Sequence, residues 1–163
     1  MTALFGVCAA VLALLLYWQA GALREERRQV QDLRARLESA SKAANLDAQE
    51  KCAKQAHEVF KSFGWDKEQF AALSNHYNPR LGRCFVRFDN TDAKTAPGTI
   101  WDNTTVLDAF EEKPYAQYMW HTEKDKKYWE VAPFMCKVTI PSGEEKICHS
   151  SEEFDALVKY YME

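Results

Sequence analysis

Several signatures that commonly mark an enzyme are missing from this chain. It has no Cys-x-x-Cys, no His-Glu-x-x-His, and no two histidines at i, i+4 or His-x-His spacing. Thioredoxin-like redox chemistry, ribbon-type zinc sites and zincin-type hydrolysis lose their usual carriers with them. Glycine and proline are scarce, six and five in 163 residues, which excludes a collagen-like or low-complexity chain. A basic stripe is also missing. Residues 46–163 hold 15 Lys and Arg against 20 Asp and Glu, and an acidic domain of this kind excludes nucleic acid as its partner. The sequence contains no catalytic, cofactor-binding or metal-binding motif.

What is present is distributed unevenly. From Ala3 to Trp18 no side chain is polar, and Gln19 is the only polar residue before Arg24. As a helix, Ala3–Leu23 would rise about 30 Å, the thickness of a bilayer core. Tyr17 and Trp18 fall near its end, where amphipathic rings favour the interface. Residues 1–23 therefore read as a transmembrane anchor. A competing reading is a cleaved secretion signal, with Ala20-Gly21-Ala22 as the cleavage site. The long apolar stretch and the lack of basic residues before it favour the anchor. Cys8, inside the run, reads as a small buried hydrophobe.

Residues 24–45 form a polar stalk. Val30, Leu33, Leu37, Ala40 and Ala44 follow 3-4 spacing with Arg and Glu between them, giving about two heptads. That pattern is a solvated helix or a short parallel coiled coil joining copies of the chain. Arg24, Arg27, Arg28, Arg34 and Arg36 follow the anchor and none precede it, which by the positive-inside rule places the remainder in the cytoplasm.

Residues 46–163 read as one α+β domain, an antiparallel sheet of about five strands with helices at both ends packed on one face. Asn45 is placed to cap a helix over 46–63. Asp66 and Gln69 have capping-box spacing for a second helix to about Asn75. Strand patterns follow at 83–88, 104–110, 116–121, 128–140 and 145–149, bounded by turn or charged residues. Ser150 and Glu153 open a last helix with Phe154, Leu157, Val158 and Tyr161 on its apolar face. If residues 123–126 form a four-residue hairpin loop, Trp120 faces Trp129 across it.

Cys52, Cys84, Cys136 and Cys148 lie in this domain. A three-residue loop Pro141-Ser142-Gly143, with Gly143 left-handed, sets Cys136 directly opposite Cys148. Two- or four-residue loops would pair Val138 with Ile147 and turn Cys148 to the other face. The first register suits the Pro-Ser-Gly order, so Cys136–Cys148 is the expected bond and Cys52–Cys84 the remaining one. Disulfides imply an oxidising compartment, against the arginine flank. Four free thiols would imply a cytoplasmic domain.

The individual candidates are weaker. His76, in Asn-His-Tyr-Asn with Tyr77, sits at an expected helix end, where it serves as a cap or a general acid/base. Asp89-Asn90-Thr91 and Asp102-Asn103-Thr104 repeat a triplet that supplies oxygen ligands or turns. Any interaction surface is expected on the uncovered sheet face or around Trp101, Tyr115 and His76, with Tyr77 and His121 as further candidates. The expected function is a non-catalytic, membrane-anchored module outside the cytoplasm. It would recognise an envelope protein or peptide and could self-associate through the stalk. The alternatives are an envelope hydrolase using His76 or His121 with a nearby carboxylate, or a cytoplasm-facing domain.

Overall fold

The computed structural model describes the backbone of residues 2–163, and their side chains except at 2–17, 20, 22 and 94–96. Two compact units divide the chain, Met1–Ala44 and Asn45–Glu163. Helix α1 spans Thr2–Ser62. Most of the expected anchor, and Cys8 with it, lies outside the described side chains. Among the described residues no helix is long and apolar enough to cross a membrane.

Over residues 24–44 the helix is exposed, with Asp32–Arg36 and Glu38–Lys42 ion pairs one turn apart. Val30, Leu33 and Leu37 form an apolar stripe that is 46, 58 and 69% exposed. Asn45 caps nothing. It lies inside α1, where backbone N–H groups already have partners one turn back. The helix stops at Gly64, whose φ of 73° is the left-handed conformation that glycine adopts without strain.

The expected second helix is not formed. A 3₁₀ turn, Trp65–Lys67, leads through residues 68–70 into strand β1, Ala71–Asn78. The local capping signal loses to ladder pairing along all eight residues of β1. The other strands are β2 (Arg83–Ala96), β3 (Thr99–Asp108), β4 (Pro114–His121), β5 (Met135–Thr139) and β6 (Glu145–Ile147), with helix α2 (Ser151–Met162) last. Among the described residues these make one six-stranded antiparallel sheet in sequence order, one strand more than expected.

The helices pack on opposite faces, not on one. In β2, Cys84, Val86 and Phe88 face α1, where they are buried with Cys52, Ala56, Val59, Leu107 and Ala109. Phe85 faces the other way and meets Val106, Tyr118, Cys136, Val138, Phe154, Val158 and Tyr161 under α2. A strand buried on both sides reads as an apolar run, which explains Cys-Phe-Val and Phe88, while Arg87 between them pairs with Asp89 and Asp155 on the α2 side. One disulfide serves each core. Cys52–Cys84 ties α1 to β2, and Cys136–Cys148 closes the β5–β6 hairpin beneath α2.

That hairpin has the expected register. Lys137 pairs with Ile147, the Cys148 N–H donates to Cys136 O, and Gly143 has φ 86°. Ser150 caps α2, accepting from the Glu153 N–H, while Glu153 Oε2 accepts from the His149 N–H. The 128–140 strand does not form as one piece. Tyr128–Glu130 is a 3₁₀ turn whose Glu130 carboxylate accepts from the Lys127 N–H. Pro133, which has no N–H for a ladder, keeps this segment out of the sheet. Trp120 therefore does not pair with Trp129. It stacks at 4.6 Å on Tyr128 and donates to Val131 O, while Trp129 is 75% exposed.

Two outcomes follow from these cores. Replacing both cysteines of either pair by serine should cost about 3 kcal/mol, read as a lower urea midpoint without reductant. Burial, with Tyr115 and Tyr160 nearby, pushes the Tyr161 phenol up to about 12. The unfolded phenol ionises near pH ~10, so above that the unfolded chain binds fewer protons than the folded one. Stability should be full below about pH 10 and fall as pH rises towards about 12, seen in urea unfolding across that range.

Candidate functional site

α1 covers only part of its face. Cys52, Ala56 and Val59 lie over Cys84, Val86, Phe88 and Leu107, while the rest of the face across β3, β4 and β5 carries no helix. Strand alternation brings Trp101, Asn103, Thr105, Gln117, Met119, His121, Met135 and Lys137 to this open part. All eight are half-buried, and their neighbours on the opposite face are largely buried. The register sets them in cross-strand pairs: Trp101 with His121, Asn103 with Met119, Thr105 with Gln117, Met119 with Met135 and Gln117 with Lys137.

The aromatic end is the most distinctive part. Trp101 lies 4.6 Å from the His121 ring and 6.0 Å from Phe134, which meets it edge-on and is 67% exposed. Trp101 Nε1 is buried without a hydrogen-bond partner. His121 Nδ1 is 3.2 Å from Thr122 O, a contact suited to a donating Nδ1–H that leaves Nε2 as an acceptor. Beside the rings the Met119–Met135 pair adds polarisable, conformationally adaptable surface. The patch can stack on a ring, bury apolar groups and hydrogen-bond through Asn103 and Gln117. It contains no activated nucleophile.

Of the five residues expected to outline a surface, the fold brings Trp101 and His121 together and separates the rest. His76 is in mid-strand on β1, opposite Phe85 and facing α2, so the expected helix-end role disappears. Tyr77, on the other face of β1, packs against the α1 core. Tyr115 sits at a β3–β4 register shift and lies against Phe85 and Tyr161. Among the described residues no hydrogen bond joins His76 or His121 to a carboxylate, and no group of His, Cys, Asp or Glu is placed to hold a metal ion.

The Asp-Asn-Thr triplets form paired strand residues, not turns. They face each other across β2 and β3, where Thr91 donates to Asp102 at 2.8 Å and Thr104 donates to Asp89 at 2.8 Å. Sequence reading missed Met119, Met135, Phe134 and Gln117. The signal was the alternation in β4, which places Gln117, Met119 and His121 on the face opposite the buried Trp120. Comparison with known proteins returns no match to a family model, a curated protein or a solved structure.

The two faces of β4 should respond differently to substitution. Met119→Gln, on the open face, should change stability by within about 0.5 kcal/mol. Trp120→Ala, one residue on, should cost about 3–5 kcal/mol, both read by urea denaturation.

Proposed function

We propose that this chain is a non-catalytic recognition or assembly module, held at a membrane by residues 1–23 and displaying the 45–163 domain in an oxidising compartment. Two disulfides in one small domain support that compartment, and they count against the reduced-thiol, cytoplasm-facing alternative. They also outweigh the arginine flank, which acts on insertion through a bias of charge and not through a fixed energy.

The observation that carries the recognition role is the open face built around Trp101, His121, Met119 and Met135. Aromatic and methionine side chains are the types that dominate buried centres of protein interfaces. Ala48 and Lys51 of α1 lie by Arg83 and Asp108, at the end of the sheet where the chain enters. Trp101, His121 and Phe134 lie at the other end of β3 and β4. The partner such a surface fits is an envelope protein or peptide offering an apolar anchor flanked by polar groups. The hydrolase alternative has no comparable observation in its favour.

The test uses the full chain in its native membrane. Alkylation without reductant, followed by peptide mapping, should yield linked 52–84 and 136–148 peptides; alkylated Cys52, Cys84, Cys136 and Cys148 would overturn the location. A photo-crosslinker at Met119 should give a discrete adduct. Trp101→Ala should weaken it by roughly thirtyfold, the loss of about 2 kcal/mol expected of an interface centre. An adduct indifferent to Trp101→Ala would overturn the assignment of this face.

A further inference from the structure

The sheet ends in two unlike edges. β6 is three residues long and carries Glu145 and Lys146, the short charged form that discourages strand addition. β1, Ala-Ala-Leu-Ser-Asn-His-Tyr-Asn, pairs with β2 over eight consecutive residues without a bulge. It contains no proline and no Lys, Arg, Asp or Glu. Only β4, an interior strand, is equally free of charge. β1 thus has the composition of an interior strand in an edge position.

Its free edge has a definite pattern. The Thr91 N–H donates to Phe70 O on one side of β2, and the Ala109 N–H donates to Cys84 O on the other. Antiparallel alternation then directs the backbone groups of Ala72, Ser74 and His76 toward β2, and those of Leu73, Asn75 and Tyr77 away from it. Among the described residues no protein group meets these outward N–H and C=O groups.

We propose that β1 pairs antiparallel with β1 of a second copy, about a two-fold axis at Asn75, joining two six-stranded sheets into one. Pairing a strand with its own copy sets each residue opposite itself or a near neighbour, so a charge would meet its like across the axis. The uncharged β1 carries no such penalty. With Asn75 opposite itself, Leu73 faces Tyr77 twice on the α1 side, an aliphatic–aromatic pair. On the α2 side Ser74 faces His76 twice, and His76 Nε2, buried without a partner in the single chain, gains a hydroxyl. An axis at Ser74 instead would set Leu73 against the amide of Asn75. A groove of about 700 Å³ between β1 and α2, lined by His76, Arg87, Asp155, Lys159 and Met162, leaves room for the incoming Ser74 and His76. The exposed Val30, Leu33 and Leu37 stripe supplies a second self-association element, and any association through it raises the effective concentration for this pairing.

The experiment uses the full chain in membrane mimetic, with residue-resolved amide exchange. The Leu73, Asn75 and Tyr77 amides should be protected, and should exchange at least tenfold faster in Asn75→Lys, which sets two ammonium groups across the axis. In a mixture of isotopically heavy and light chains, a photo-crosslinker at Tyr77 should give heavy–light adducts at Leu73. Unprotected outward amides in the parent chain would overturn the proposal. So would protection without heavy–light adducts at Leu73, since the strand's occupant would then be something other than a second copy.

Discussion

Burial of the first half of β2, Cys84–Val86 and Phe88, on both faces of the sheet is the constraint from which the rest of the domain follows. Phe85 fills one core while Cys84, Val86 and Phe88 fill the other, so neither face of this strand can be left to water. One helix is needed on each side, and the chain supplies them from its two ends. Burying the aromatic and aliphatic side chains of the two cores is the dominant stabilising term, at roughly 1.5–3 kcal/mol for each fully buried side chain. The disulfides then hold each layer where burial has placed it. Cys52–Cys84 binds the helical layer to β2 itself, and Cys136–Cys148 fixes the hairpin from which α2 departs.

The two layers cover the sheet unequally, and this inequality leaves one stretch of the sheet open. α1 lies along β1, β2 and part of β3, so β4 and β5 have one side under α2 and the other open. On the α2 side, Arg87 bridges strand and helix, reaching Asp89 at 3.0 Å and Asp155 at 2.7 Å. Crossed Thr–Asp hydrogen bonds between β2 and β3 extend the same polar strip. These contacts close that side with internally satisfied groups. The other side keeps Trp101, Met119, His121 and Met135 half-exposed. Those four side chains form the surface on which the recognition role is proposed.

Much of this was legible in the residues, for reasons that are local. Ser150 and Glu153 define the start of α2 because a capping box needs only four consecutive residues. Pro141-Ser142-Gly143 defines the β5–β6 register because a left-handed glycine closes one loop length, and that register made Cys136 and Cys148 neighbours. Asp66 and Gln69 show the opposite case. Their helix-start signal was real but weak, worth a fraction of the ladder that β1 makes with β2, a partner that begins beyond the next turn.

The candidate surface shows the same division. By itself the sequence determined the α+β class and the cysteine pairing, because composition, turn chemistry and short-range spacing carry that information. Only the tertiary structure decided that helices occupy both faces, that His76 lies in a strand, that Tyr115 belongs to the core and that Met119 and Met135 stand beside Trp101. Each of those facts depends on which strands become neighbours. Neighbour choice is set by burial summed over the whole sheet, and no short window of sequence contains that sum.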